Sequence, residues 1–323
     1  MPRLPDFIII GAMKCATSTL HDQLGLQPGI FVSEPKEPNF FSNDEEYARG
    51  LDHYAALFAA AEPGALCGES STHYTKLPTY PRTVERMKRH LDQLRLIYVM
   101  RHPVDRLVSH YVHEWTERTI ECPIDRAVRE FPRLIDYGRY AMQLEPFLAA
   151  YGRQSILPVF FERLVAEPQR ELERVCRFIG YAGRPVWHHE EAAQNVSQER
   201  LRVSPLRDAI VWNPLVTWVR RRFIPQSWRD RVKRLWQMRK RPRLSPESLR
   251  LLQETFDQDL ARLGELLGVL INCANFKAVA RSGEYAIQAD HRRSEPSLPP
   301  ARAEPSVFPD RNTAEVCAGE VRG

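Results

Sequence analysis

The sequence has no long apolar run and no paired cysteines. Its apolar runs stop well short of the 18 or more residues that a membrane-spanning helix needs. The six cysteines are scattered singly, without the CxxC spacing of zinc sites or the pattern of a disulfide framework. Residues 1–14 contain no signal-peptide cleavage pattern. Together these absences predict a cytoplasmic protein.

Lysine is also scarce: seven lysines stand against 39 arginines among the 46 basic residues. The arginine guanidinium binds oxyanions through two parallel hydrogen bonds, which indicates phosphate or sulfate ligands. The alternative explanation is the codon bias of a GC-rich genome. The net charge of +5 does not indicate a nucleic-acid partner. With 323 residues, of which 43% are hydrophobic, the chain is long enough for one large domain or two small ones and is not disordered as a whole.

Short apolar runs alternate with amphipathic stretches along the first 180 residues. The runs at 7–10, 94–100 and 155–161 are typical of buried strands. Helices are predicted to begin near Thr17 and Val104 and to cover 83–94 and 169–179. This alternation predicts an α/β fold of three layers, with a central, mostly parallel sheet flanked by helices.

The composition changes after residue 200. Residues 200–243 hold 14 lysines and arginines, two acidic residues and four of the six tryptophans. This segment is either a helical pair that packs its tryptophans inward, or a surface for an anionic acceptor or an acidic membrane. A helix is predicted from Ser245 and Pro246 to Gly268. We therefore predict one domain over 1–275, including 200–243, and a disordered tail over 276–323.

Residues 11–19 (GAMKCATST) lie between the first predicted strand and the first predicted helix. Backbone N–H groups and the positive helix end then face one point, where an anion binds. Lys14 adds a full charge, and the hydroxyl groups that follow it add donors. The alternative is a glycine-ended strand followed by a helix with a threonine or serine cap. The segment lacks the GxxxxGK[ST] spacing of a Walker loop, so it is at most P-loop-like.

A second motif, YVMRHPVDRLVSHY at 98–111, places Arg101 where a strand ends. Ligands bind at that edge in open α/β sheets. Ser109 follows on the next predicted helix, within reach of the same phosphate. The strand ends in arginine rather than in the acidic metal ligand that a kinase uses, so a site of Lys14 and Arg101 suits an anionic leaving group without a metal.

These two motifs in this order resemble the sulfotransferases that use 3′-phosphoadenosine 5′-phosphosulfate (PAPS), and the resemblance covers roughly residues 5–270. The first is similar to their phosphosulfate-binding loop, with Ala16 in place of a usual glycine. The second is similar to their 3′-phosphate motif, with His102 in place of a usual asparagine. The resemblance implies that PAPS is bound by Lys14, Cys15, Ala16, Thr17, Ser18, Thr19, Arg101 and Ser109, and by Arg200 and Arg202 from a late loop.

Two further segments resemble the glycan sulfotransferases and their bacterial relatives. KEPNFF at 36–41 implies that Glu37 is the catalytic base, and GESSTHY at 68–74 has Ser70 where many members have an assisting lysine. Lys14 would neutralise the leaving phosphate. His73 is the alternative base, because cytosolic relatives use a histidine. The structural alternatives are a solvated carboxylate at Glu37 and a packed imidazole at His73.

The expected function is in-line transfer of a sulfuryl group from PAPS to a hydroxyl of a sugar, lipid or small metabolite, with no metal required. One alternative is a P-loop small-molecule kinase using ATP–Mg²⁺. The other is a non-catalytic protein that binds membranes or polyanions through residues 200–243. For the enzyme, the same segment predicts peripheral contact with a membrane or another anionic surface. The identity of the acceptor and the oligomeric state do not follow from the sequence.

Overall fold

The computed structural model describes residues 3–189, 242–285 and 287, which all belong to one unit, Met1–Ala289. The predicted site residues Arg200 and Arg202, and the basic segment up to residue 241, lie outside the described residues. The described strands are β1 (Phe7–Gly11), β2 (Ile30–Val32), β3 (Leu66–Ser70), β4 (Arg95–Met100) and β5 (Ile156–Phe160).

The five strands pair in parallel, in the order β2-β3-β1-β4-β5. Helices flank this sheet, so the predicted α/β fold is confirmed. The described helices are α1 (Thr17–Gly25), α2 (Asp44–Ala48), α3 (Leu51–Ala56), α4 (Thr83–His90), α5 (Pro103–Thr116), α6 (Ile124–Glu130), α7 (Arg133–Asp136), α8 (Tyr140–Tyr151), α9 (Phe161–Ala166), α10 (Pro168–Ile179), α11 (Pro246–Leu267) and α12 (Phe276–Ser282). No helix in the described part of the chain is long and apolar enough to cross a membrane.

The apolar runs become the centre of the sheet. All five residues of β1 are buried, as are the last five of β4. A parallel strand covered on both faces reads as a continuous apolar run, which explains why these strands were visible in the sequence. The long helix α11 also has its predicted limits: the Ser245 side chain accepts the Ser248 N–H at 3.2 Å, and Gly268 ends the helix with φ +69°.

Two predicted boundaries were wrong. The helix expected over 83–94 ends at His90, because Leu91 leaves the helical conformation and β4 begins at Arg95. Helical structure also continues past the predicted domain boundary at 275, because α12 lies at the start of the segment that was predicted to be a disordered tail. Phe276 of α12 is fully buried, with its ring centroid 5.3 Å from that of Phe160. The remainder of the tail, from residue 288, lies outside the described residues.

Candidate active site

The site lies where β1 and β4 run side by side. The chain leaves β1 towards β2 and leaves β4 towards β5, on opposite sides, so a crevice opens between the carboxyl ends of these two strands. Lys14 follows β1 and Arg101 follows β4. A guanidinium N–H of Arg101 donates to the Lys14 carbonyl oxygen at 3.4 Å. The structure therefore brings the two predicted motifs together.

The loop after β1 turns sharply into α1. Lys14 and Ala16 both have φ +67°, and Ala16 is the N-cap residue of α1. Within the described residues no side chain caps this helix end, so the alternative of a threonine- or serine-capped helix was wrong. The N–H groups of the first turn, which begins at Thr17, remain available to an anion. Ser18 is exposed and Thr19 is half-buried in the same turn.

The side chain of Cys15 is packed in the protein interior. Its thiol is buried and lies 4.0 Å from the Tyr140 hydroxyl. Burial raises the pKa of this thiol to about 12, so it stays protonated. The predicted contact between Cys15 and PAPS would therefore come from its backbone amide. Ser109 is half-buried on α5, about 9 Å along the helix axis from Pro103.

Tyr140 holds Arg101 in place. Its hydroxyl accepts the Arg101 backbone N–H at 3.2 Å and donates to the Arg101 carbonyl oxygen. The Asp259 carboxylate in turn accepts the next two backbone N–H groups of α8, at 2.9 and 3.1 Å. The guanidinium carbon of Arg101 lies 4.5 Å from the ring centroid of Phe161. Sequence analysis missed Tyr140, because nothing in its own surroundings marks it as a partner of Arg101.

His102 forms the turn between β4 and α5. Its Nδ1 accepts the Asp105 N–H at 3.5 Å and so caps α5. Its Nε2 lies 3.0 Å from the Cys273 carbonyl oxygen, to which it donates. The His102 backbone N–H donates to a Glu162 carboxylate oxygen at 2.9 Å. These contacts fix the turn that carries Arg101.

Glu37 lies beside the carboxyl end of β3, next to the crevice. Its backbone N–H donates to the Ser70 carbonyl oxygen at 2.9 Å. One carboxylate oxygen accepts from Lys36 Nζ at 2.9 Å, and the other accepts from the Thr72 hydroxyl at 3.1 Å. Burial raises the pKa of this carboxyl, but the charges of Lys36 and Lys76 and the two hydrogen bonds outweigh burial and lower the pKa below 4.5. Glu37 is therefore ionised near neutral pH and able to accept a proton.

His73 is less suited to the role of base. Its ring stacks on Tyr80 with centroids 4.7 Å apart, and its buried Nδ1 has no hydrogen-bond partner among the described residues. Burial, followed by the charge of Lys76, lowers the pKa of His73 to about 4. Both groups are unprotonated near neutral pH, so protonation state does not separate them. The stacking of the His73 ring on Tyr80 is typical of a packed imidazole, so the geometry favours Glu37.

Buried polar groups support the end of β3. The Ser70 hydroxyl lies 2.8 Å from His21 Nδ1, and burial lowers the pKa of His21 to about 4. The Glu69 carboxyl accepts three hydroxyl groups at 2.8 Å, from Tyr54, Tyr74 and Ser71. In the part of the chain that the structure describes, no group of three or more His, Cys, Asp or Glu side chains could hold a metal. Metal independence stays a prediction.

Replacing Ala16 by glycine is expected to stabilise the protein by about 0.5–1 kcal/mol. A left-handed conformation costs a residue with a Cβ roughly 1–2 kcal/mol, and the greater freedom of glycine in the unfolded chain offsets part of that gain. Urea unfolding measures the difference. Ala261→Gly is the matched control, because Ala261 is exposed within α11, where glycine should instead destabilise by about 0.5–1 kcal/mol. Destabilisation by Ala16→Gly would contradict the strained loop.

The sequence is similar to that of known proteins. A family model described as "Sulfotransferase domain" matches residues 4–264. Mouse heparan sulfate glucosamine 3-O-sulfotransferase 3B1 is 32% identical over 188 residues, which are 55% of this chain and 46% of that protein. Human heparan sulfate glucosamine 3-O-sulfotransferase 6 is 31% identical over 187 residues, covering 55% and 53% of the two chains. The chain thus spans about half the length of the curated relatives it matches.

The fold is shared with a solved structure as well. The sulfotransferase of Alicyclobacillus acidocaldarius superimposes with a TM-score of 0.59, over 83% of this chain and 98% of that chain, at 22% identity. The family match includes every strand of the sheet and both motifs of the crevice. The chain therefore belongs to the sulfotransferase domain family.

Proposed function

We propose that this protein transfers a sulfuryl group from PAPS to a hydroxyl group of an acceptor. The observation that carries the proposal is the meeting of Lys14 and Arg101 at one crevice, with Glu37 ionised at the end of the neighbouring strand β3. The uncapped start of α1 supplies donors for the 5′-phosphosulfate, and Arg101 supplies charge for the 3′-phosphate. These groups fit the two anionic ends of PAPS.

Glu37 and Lys14 have separate roles in the proposed reaction. Glu37 accepts the proton of the acceptor hydroxyl while its oxygen forms a bond to sulfur. The bond between sulfur and the 5′-phosphate oxygen breaks, and its electron pair stays on the leaving 3′-phosphoadenosine 5′-phosphate (PAP). Lys14 stabilises the charge that develops on that leaving oxygen. By analogy with phosphoryl transfer the transition state is loose, so positioning and charge stabilisation dominate.

The relatives indicate only a broad class of acceptor. A hydroxyl of a sugar, lipid or small metabolite remains the proposed acceptor. A heparan sulfate oligosaccharide is the first one to test, since the matching relatives are named for glucosamine 3-O-sulfation of that glycan. Incubation with PAPS and a metabolite extract, followed by mass spectrometry for an added sulfonate, extends the search. Cytoplasmic localisation and membrane contact through 200–243 stay predictions.

PAP is expected to stabilise the protein against thermal unfolding without magnesium. A ligand that binds the folded state stabilises it by about 2–4 kcal/mol when its concentration is far above Kd. The measurement is a thermal-shift assay with PAP, with ATP–Mg²⁺ and with no ligand. Stabilisation by ATP–Mg²⁺ alone would support the kinase alternative, and no stabilisation by either nucleotide would contradict the proposed function.

Arg101→Ala is the matched variant for the same assay. Loss of a charge-assisted hydrogen bond to the 3′-phosphate should weaken PAP binding by about 10–100-fold. Binding of adenosine 5′-phosphate, which lacks the 3′-phosphate, should stay unchanged. Equal weakening of both nucleotides would show that Arg101 does not contact the 3′-phosphate.

A further inference from the structure

Lys76 occupies a central position that sequence analysis did not single out. It follows a 3₁₀ turn, Thr72–Thr75, which crosses the carboxyl end of β1. The Thr75 hydroxyl donates to the Ile10 carbonyl oxygen at 2.8 Å and anchors the turn there. Lys76 therefore lies next to the loop that begins at Gly11, where the charges of Glu37 and of Arg106 and Glu114 on α5 act on it.

The side chain of Lys76 is largely buried. The residue is 8% exposed, and Nζ lies 5.8 Å from the ring centroid of Tyr137. In the described ranges Lys76 forms no ion pair. Both carboxylates that influence it are engaged elsewhere: Glu37 with Lys36 at 2.9 Å, and Glu114 with Arg133 at 3.1 Å.

The surrounding charges do not neutralise the positive charge of Lys76. Arg106 of α5 is fully buried and opposes the charge of Lys76. The titratable and charged groups that face Lys76 from the packed elements are Glu37, His73, Arg106, His110, Glu114 and Tyr137. A lysine that is largely buried, and has no ion-pair partner among the described residues, loses hydration without gaining a counterion, so a bound anion would stabilise it. Burial lowers the pKa of Lys76 to about 8.

We propose that Lys76 binds the oxygens of the sulfuryl group as it passes from PAPS to the acceptor. The proposal rests on the proposed function. The bond between the acceptor oxygen and sulfur forms, the bond between sulfur and the 5′-phosphate oxygen breaks, and the hydroxyl proton goes to Glu37. Lys76 keeps its proton throughout and stabilises the transferring group, while Lys14 stabilises the leaving phosphate. The two lysines thus act on different charges of one reaction.

The test compares PAPS with PAP, which lacks the sulfuryl group. Titration calorimetry near neutral pH should show PAPS bound about tenfold more weakly by Lys76→Met than by the wild type, with PAP affinity unchanged. Methionine matches the length of lysine and removes the buried charge, so folding stability should not fall. Lys88→Met is the matched control, because Lys88 is 41% exposed and pairs with Asp92 at 2.9 Å. It should change neither affinity.

A pH series supplies the second readout. In the wild type the preference for PAPS over PAP should decline above about pH 8, where Lys76 loses its proton. Lys76→Arg should retain the preference to higher pH, because arginine stays charged. An unchanged ratio of PAPS to PAP affinity in Lys76→Met, or the same alkaline decline in Lys76→Arg, would overturn the role of Lys76. Neither result would contradict the proposed function. Failure of the wild type to bind either nucleotide would overturn the proposed function and this role with it.

Discussion

Replacing Glu37 by glutamine is expected to lower turnover by about 10²–10⁴-fold while leaving the affinity for PAP unchanged. The amide keeps the shape of the side chain and still accepts a hydrogen bond through its oxygen, but it cannot take the acceptor proton. The loss should therefore fall on the transfer step rather than on nucleotide binding. Sulfate transfer from PAPS to a heparan sulfate oligosaccharide, or to an acceptor found by mass spectrometry, measures turnover.

Two variants serve as controls for this experiment. Glu34→Gln changes an exposed carboxylate three residues earlier and should leave turnover unchanged. His73→Asn removes the alternative base, and its effect should be much smaller than that of Glu37→Gln. Burial raises the pKa of Glu37, but the charges of Lys36 and Lys76 outweigh burial and lower it, so protonation of Glu37 should reduce activity only at a pH below the range of an ordinary glutamate. Unchanged turnover in Glu37→Gln would remove this carboxylate from the mechanism.

Protonation of Glu69 is expected to add about 3 kcal/mol to the free energy of unfolding at acidic pH, and replacing Glu69 by glutamine should remove this contribution. Burial raises the pKa of Glu69 from 4.5 to about 7, against the three hydroxyl donors that lower it. The folded state therefore holds this proton more tightly than the unfolded state. Its stabilisation is fully present below pH 4.5 and is lost as pH rises through about 7.

Urea unfolding near pH 5 and near pH 8 measures this contribution in the wild type and in Glu69→Gln. Glutamine can accept from Tyr54 and Tyr74 through its oxygen and donate to Ser71, so the network survives. Glu69→Gln should gain stability relative to the wild type as pH rises. Glu62→Gln, at an exposed position, should show no such gain. The same difference between Glu69→Gln and the wild type at both pH values would show that Glu69 does not titrate in this range.

Local features of the chain were predictable because their causes are local. The strands β1 and β4 are covered on both faces, and each reads as a continuous apolar run. The limits of α11 follow from a serine before the helix and a glycine after it, which act within a single turn. The loop of Lys14 and the strand end of Arg101 were visible for the same reason, since each motif occupies consecutive residues.

The contacts that position the proposed site residues could not be predicted in this way. Thr72 donates to Glu37 across 35 residues of sequence, and Tyr140 contacts the Arg101 backbone across 39. Phe276 is ordered because Phe160, on another element, covers it. Such contacts depend on which elements the sheet order places side by side, and no linear spacing encodes that order.

By itself the sequence determined the fold class, the two motifs predicted to bind anions and the family resemblance, since these depend on apolar periodicity and on short runs of consecutive residues. Only the tertiary structure decided that Lys14 and Arg101 meet at one crevice, that Glu37 is held ionised by Lys36 and Thr72, and that the largely buried Lys76 lies close enough to act on Glu37. The physical reason is that burial, charge pairing and side-chain hydrogen bonds arise when distant segments pack, and together they set the ionisation of each group at the site.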